Sequence, residues 1–367
     1  MSTSPSVAVL GTGAVGAMTL WRLAARGARA VGFDTYAPGH DRGASGGESR
    51  IFRTAYKEGA HYVPLLRESR LLWTELERAG GTRLLHLVGG VTVGAADDPV
   101  VRAVQESGVD VEVLSGREAA RRVPEHPLAE GEVLVLDREA GYLRPEAAVL
   151  TAVDEAQRHG AELRCRTRVS AVEPDGAGVL VTTGAGTERF DAAVVTPGAW
   201  ARQLLPHLPV QARRITSAWF PRRDAELFDP GRCPIAIRVG AHAFSCFPAL
   251  DGFGVKVNAH GGGWPPVESP ESLPRSAEPE LLARLHAAVT ATLPGLRPDP
   301  VRIATYADGF TPDGHGLLGP LTGNLVLATG FSGHGFKLAP VFGDIAADLV
   351  LSGGTRRAIA PLSPHRF

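Results

Sequence analysis

The chain has 367 residues, more than one ordinary hydrophobic core takes in, and its 44% hydrophobic and 21% charged residues are typical of a globular protein. Lysine plus arginine number 38 against 39 aspartate plus glutamate, a formal net charge of −1, which gives no basic field for nucleic acid or an anionic membrane. No apolar run approaches the roughly 20 residues of a bilayer span, and the three cysteines, Cys165, Cys233 and Cys246, hold no Cys-x-x-Cys pair, so neither a disulfide framework nor a metal site is expected.

Met1 to Ser6 has no basic stretch leading into an apolar one, so a leader is not expected and the cytoplasm is the expected compartment. Val7-Ala-Val-Leu10 is wholly apolar, as a strand buried in a parallel sheet requires. Gly11-Thr-Gly13-Ala14-Val15-Gly16 follows, then a helical stretch from Ala17 to Arg26, a stop at Gly27, and a second strand, Ala30 to Phe33, closing on Asp34. Gly11 suits a tight turn, Gly13 a close approach to a pyrophosphate, and Gly16 tight packing of helix on strand. The helix N-terminus offers free N–H groups to phosphates. Asp34 stands where a carboxylate would hold ribose hydroxyls, which disfavours a 2′-phosphate. NAD and FAD both satisfy this pattern.

Arg50 and Arg53, three apart, read from the residues alone as surface arginines on one helical face. Apolar alternation in Leu87 to Val93 and in Ala241 to Val257 suits antiparallel strands with one covered face. On the second of these, Lys256, Asn258 and His260 share one face, turned to solvent or to a cavity. A proline-rich loop, Gly261 to Pro274, precedes an amphipathic helix from Glu280 to Leu293. Asn324 to Thr329 reads as a buried strand, Gly330 to Gly335 as a glycine-rich turn and Ala339 to Leu351 as a helix, a second strand–loop–helix unit.

Three stretches carry a family resemblance: Gly43-Ala-Ser45-Gly-Gly-Glu-Ser-Arg50-Ile-Phe-Arg53-Thr-Ala-Tyr56-Lys-Glu-Gly59, then Tyr62-Val-Pro64 with Leu71-Leu-Trp73, and Gly330-Phe-Ser-Gly333-His334-Gly335-Phe-Lys337. They resemble the monomeric sarcosine oxidase and N-methyltryptophan oxidase family, within the glycine/D-amino-acid oxidase superfamily. The resemblance implies FAD as cofactor, an α/β (α+β overall) architecture, and a discontinuous Rossmann-type FAD-binding domain of residues 1–84, 142–208 and 317–367. An antiparallel-sheet substrate domain would take residues 85–141 and 209–316.

The implied activity is oxidation of a C–N bond in a small amino acid or N-alkyl amino acid to an imine, with O2 reduced to H2O2, by a monomer whose only partners are small molecules. Cofactor contacts are implied at Gly11, Gly13, Ala14, Val15, Gly16, Asp34, Ser45, Arg50, Gly330, Gly333, His334, Gly335 and Lys337. Further contacts are implied at Gly198 of Thr196-Pro-Gly198-Ala-Trp200 and at Val169, read as the end of a strand Arg164 to Val169. The resemblance places Lys256 above the flavin as the promoter of oxygen reduction, His260, Tyr306 and His334 in the pocket, and Arg53 with Lys337 on the substrate carboxylate. Two positions depart from the family. Ala304 stands where sarcosine oxidases carry the flavin-linking cysteine, which implies non-covalent FAD. Ser245 replaces a pocket tyrosine, and with Gly261 to Gly263 beside His260 this implies a roomier pocket. The Rossmann pattern alone is equally compatible with an NAD-dependent dehydrogenase. An FAD dehydrogenase that uses another electron acceptor and a non-catalytic flavin-binding protein also stay open.

Overall fold

The computed structural model describes residues 4–252, 254–260 and 264–367. Its first sheet has six strands, in the order Leu317–Pro320, Leu325–Thr329, Ala192–Val195, Ser6–Leu10, Arg29–Phe33 and Glu162–Arg164. All neighbours run parallel except Leu317–Pro320 against Leu325–Thr329. Ser6–Leu10 lies in the interior of the sheet and every residue of it is buried, which is why Val7 to Leu10 reads as an unbroken apolar run.

Helix Ala14–Ala25 begins three residues before the expected Ala17, because Gly13 already serves as its N-cap. A side chain at Gly16 would run into the carbonyl oxygen of Gly11, so only glycine lets this helix leave the strand so tightly. The same helix packs on Pro145–Arg158 and on Ala339–Ser352. At the latter crossing, a side chain at Gly343 would strike the backbone and Cβ of Met18.

The second sheet has eight strands, ordered Arg302–Phe310, Gln211–Pro221, Gly254–Ala259, Phe244–Cys246, Ile235–Arg238, Gly90–Ala95, Glu132–Asp137 and Glu112–Leu114. It is antiparallel except where Gly90–Ala95 runs parallel to Ile235–Arg238, a long-range pairing that alternation cannot reveal. The Ala241 to Val257 stretch is broken into two strands joined by a turn. Helix Pro279–Thr292 packs on one face of this sheet with Leu285 and Val289 buried.

Three local readings are corrected. Arg164 to Val169 is not a strand: one strand ends at Arg164, Arg166 takes φ 54, and Val169 opens the next, Val169–Asp175. Arg50–Phe52 is a strand paired with Gly141–Leu143, so Arg50 and Arg53 share no helical face. Lys256, with Val255 and Val257 to either side, is fully buried, so both faces of that strand are covered there. Gly261 to Gly263 lie outside the described residues. Among the described residues no helix is long and apolar enough to cross a membrane.

Helix Ala339–Ser352 is tied to helix Ala14–Ala25 by a charge cluster. Asp344, 3% exposed, accepts from Arg22 Nε at 2.5 Å, from Arg357 Nη2 at 2.6 Å and from Arg26. Removing the central acid would leave three cations short of a partner, which buried ion pairs tolerate poorly. Asp344→Ala is expected to cost about 2–4 kcal/mol in urea unfolding, the arginines retaining Glu75, Asp348 and Glu68. Asp348→Ala, at the cluster's more exposed rim, should cost under about 1 kcal/mol. Equal, small losses from both would contradict the central role of Asp344.

Candidate active site

A cavity of about 820 Å³ runs from the Gly11–Gly16 turn to the eight-stranded sheet. At its first end Gly11, Gly13, Ala14 and Val15 form the wall, whereas Gly16 lies behind it in the helix–strand contact. The Ser45 hydroxyl accepts the N–H of Ala14 at 2.9 Å, which fixes the loop of Ser45 against the helix N-terminus. Asp34 also lines the cavity. Its Oδ2 accepts from the N–H and hydroxyl of Thr12 at 2.8 and 2.9 Å, and its Oδ1 from the N–H of Tyr36 at 2.9 Å. A carboxylate has about four lone-pair directions, so acceptor capacity remains for ribose hydroxyls. Val169 and Gly198 line the same end.

The middle of the cavity is bounded by the 43–50 loop and strand Arg302–Phe310. Arg50 donates to the carbonyls of Ser49 and Ala44, both at 2.7 Å, and lies over the ring of Tyr306. Tyr306 packs on Gly46 and Gly47. On this strand Tyr306 and Asp308 line the cavity; Ala304, on the same face and paired with Ser217, does not. None of the three cysteines lines it either. Lys256 is likewise withdrawn from the wall. Its ammonium donates to the carbonyls of Gly47 and Ser49 at 2.8 and 2.7 Å, behind the loop, and burial followed by the charge of Arg50 pushes its pKa well down.

The far end gathers the charges. Arg53 Nη2 donates to both carboxylate oxygens of Glu58, at 2.8 and 2.9 Å, while its Nε and Nη1 are buried without partners among the described residues. Lys337 donates to the carbonyl of His334 at 3.0 Å, and burial brings its pKa to about 7 against the pull of Glu58. Burial would raise the Glu58 carboxyl, but Arg53, Lys337, His334 and Lys57 together hold it at about 2.

Gly330, Gly333, His334 and Gly335 line the cavity here, with Ser245 and His260 opposite on the larger sheet. His260 and His334 are both pushed down to about 4, chiefly by burial, and so are neutral at pH 7. His334 Nε2 meets the carbonyl of Gly314 at 2.9 Å and its Nδ1 meets the Tyr56 hydroxyl at 2.7 Å. A carbonyl only accepts, so Nε2 carries the proton and Nδ1 takes the one from Tyr56. With both nitrogens occupied, His334 orients its loop and has no free atom for proton transfer.

Every residue read from the sequence as part of the site therefore meets at this cavity except Gly16 and Lys256, which stand one layer behind. Two cavity acids, Glu58 and Asp308, escaped the sequence reading. The Arg53-x-x-x-x-Glu58 spacing was the available signal for the first. Asp308, whose carboxyl burial raises to about 6, was visible only as the next position after Tyr306 on one strand face.

The family model described as FAD dependent oxidoreductase matches residues 6–349. The chain is 36% identical to a monomeric sarcosine oxidase of Streptomyces avermitilis, over 100% of this chain and 99% of the relative. It is 30% identical to an N-methyl-L-tryptophan oxidase of Salmonella enteritidis, over 98% of each. Among solved structures, NikD, an amino acid oxidase essential for nikkomycin biosynthesis, superposes with a TM-score of 0.85 at 25% identity over 98% of each chain. Glycine oxidase of Geobacillus kaustophilus, at 20% identity over 99% of this chain and 100% of the other, gives 0.82 and speaks for the fold alone.

The depressed Lys337 would give any carboxylate bound at this cationic end a pH signature. A carboxylate needs the ammonium form, and Lys337 in the free site loses its proton at about 7. Affinity for a simple carboxylate such as butyrate should be level below pH 6 and fall by about tenfold per unit above pH 7. Calorimetric titration from pH 6 to 9 measures this. Lys337→Met should bind weakly at every pH, and a level wild-type profile would remove Lys337 from the anion site.

Proposed function

The chain belongs to the family of FAD-dependent oxidoreductases, and on that footing we propose that it oxidises the C–N bond of a carboxylate-bearing amino acid or N-alkyl amino acid to an imine, reducing O2 to H2O2. The observation that carries the substrate class is the pair of buried cations, Arg53 with two unpartnered nitrogens and Lys337 beside it, at the end of a cavity that begins at a dinucleotide-type turn.

The residues present fit FAD. The glycine-lined turn with a helix N-terminus behind it suits the pyrophosphate, Asp34 suits the ribose, and Gly330 to Lys337 bring a second strand–loop–helix unit to the same cavity. FAD, when bound, supplies the two-electron acceptor for the oxidation. The protein holds and orients. Arg53 and Lys337 take the carboxylate, and for this the Glu58 carboxylate must give up or share Arg53. His260, neutral, borders the reacting region without adding charge. A dry cavity favours the free amine, the form that can be oxidised, over the ammonium. We further propose that the division into a cofactor domain of residues 1–84, 142–208 and 317–367 and a substrate domain of residues 85–141 and 209–316 holds, and that the protein acts as a monomer.

FAD is proposed to be non-covalent, because no cysteine sulfur lines the cavity. Acid precipitation should leave the yellow colour in the supernatant; colour retained by the pellet would overturn this. A panel of amino acids and N-methyl amino acids should bleach the flavin anaerobically and release peroxide in air, whereas amines lacking the acid group should not. Efficient turnover of such amines would refute the clamp.

Lys256 is proposed to serve the oxygen half of the cycle. Negative charge must appear on oxygen, and Lys256 would lower that barrier as a cation, its ammonium disfavoured by burial but held by the Gly47 and Ser49 carbonyls. Lys256→Met should leave anaerobic bleaching by substrate largely intact and slow the return of colour in oxygen by orders of magnitude, at about 1.36 kcal/mol per tenfold. Stopped-flow measurement of both phases, at equal FAD content, decides it. Unchanged reoxidation would take Lys256 out of the reaction, and slow reoxidation in the wild type would point to another electron acceptor.

A further inference from the structure

Strand register sets a row of side chains across the cavity face of the larger sheet. Ala304 pairs with Ser217, and Ser245 pairs with Asn258 on one side and Ile237 on the other. Asn258 follows Val257, the partner of Ala218, and so comes beside Ser217. Ser217, Asn258, Ser245 and Ile237 all line the cavity.

The three polar members of this row are unused. Asn258 Oδ1 is buried with no partner among the described residues. Ser217 and Ser245 are 2% and 3% exposed, and their side chains have no hydrogen bond among the described residues. Folded proteins rarely leave such groups unmet, and a cavity wall is where a ligand would meet them. The carboxamide can turn either its oxygen or its NH2 forward, and a hydroxyl both donates and accepts, so the row accepts a donor or an acceptor. It contains no ionisable group to balance a charged side chain.

Asn258 and His260 are two positions apart on one face, roughly 7 Å along an extended chain. His260 lies in the field of Arg53 and Lys57. His260 thus stands between the row and the cationic end, and all of these line one cavity, so the side chain of an amino acid held there by its carboxylate can extend toward the row. The apolar Ile215 and Phe247 border it on the cavity wall.

We propose that Ser217, Asn258 and Ser245 form the subsite for the substrate's side chain, and that this side chain ends in a hydroxyl or amide a few bonds from the α-carbon, not in a hydrocarbon or aromatic group. The inference rests on the reading that Arg53 and Lys337 take a carboxylate. The experiment therefore keeps the two separable.

Four unreactive probes, 4-hydroxybutyrate, pentanoate, 1,4-butanediol and pentan-1-ol, are titrated into the holoenzyme and followed by the change in flavin absorbance. Comparison within each pair tests the row, because the hydroxyl replaces a methyl at equal length. Comparison between pairs tests the cations. Wild type should bind 4-hydroxybutyrate at least tenfold more tightly than pentanoate. The Asn258→Leu/Ser245→Ala double variant should abolish or reverse that ratio, and Asn258→Ala alone should reduce it. Equal or tighter binding of pentanoate by the wild type would overturn the subsite. So would an unchanged ratio in the variants, including the case in which they lose FAD affinity alone, since the amide would then be serving the cofactor. Acids binding no better than alcohols would overturn the carboxylate reading while leaving the within-pair ratio meaningful. No response from any probe would overturn both.

Discussion

The turn at Gly47 and Glu48 is gripped from two sides by opposite charges. The N–H groups of both residues point to the carboxylate of Glu146, Gly47 at 2.5 Å and Glu48 at 3.0 Å, while the carbonyls of Gly47 and Ser49 point to the ammonium of Lys256. The peptide units lie between an anion and a cation with their dipoles aligned to both. This grip holds Gly47 at φ 94 and Glu48 at φ 73, a conformation unfavourable for glutamate. The Glu48 carboxylate is in turn tied to Trp219 Nε1 at 2.6 Å. Glu146 belongs to a helix packed on the parallel-sheet side, whereas Lys256 and Trp219 belong to the larger sheet, so a short loop is the joint between two layers. Ser45 on one side of it meets the helix N-terminus, and Arg50 and Arg53 on the other enter the cavity. The position of each depends on a turn held from outside by Glu146 and Lys256 and from within by the Glu48 carboxylate.

Charge in the cavity is arranged with the same economy. Of the ionisable groups around the far end, the two histidines are kept neutral by burial, so they add nothing to the field at neutral pH. The cations are then Arg53, Lys337 and Lys57, and Glu58 is their resident counter-charge. A buried cation pair without an anion would be costly. Glu58 offsets that cost, and the carboxylate of the proposed substrate would share or take over its place instead of entering an uncompensated field.

How far these features could be read from the sequence depended on the range of the interaction that creates them. The Gly11–Gly16 turn, its flanking strands and Asp34 are governed by contacts a few residues apart, and the pattern located them nearly to the residue. The second strand–loop–helix unit at Asn324 to Ser352 was legible for the same reason. Lys256 was assigned to a face correctly by alternation, yet what that face touches, the carbonyls of residues more than two hundred positions away, leaves no local trace. The parallel pairing of Gly90–Ala95 with Ile235–Arg238 was invisible on the same grounds. Asp308 lacked any signal but its phase on the strand, and Glu58 had only its spacing from Arg53.

The strand order of the parallel sheet also has a consequence for how the chain is made. Ser6–Leu10 is made well before its neighbour Ala192–Val195, which comes nearly two hundred residues later, and that strand's other neighbour, Leu325–Thr329, comes later still. For much of its synthesis the nascent chain therefore carries an apolar strand with only one of its edges paired. Such an edge is a template for pairing with other chains, and non-local closure of this kind is slow. The sheet is therefore completed by pairings between segments far apart in the chain, and until Ala192–Val195 is in place the second edge of Ser6–Leu10 has no partner in this sheet.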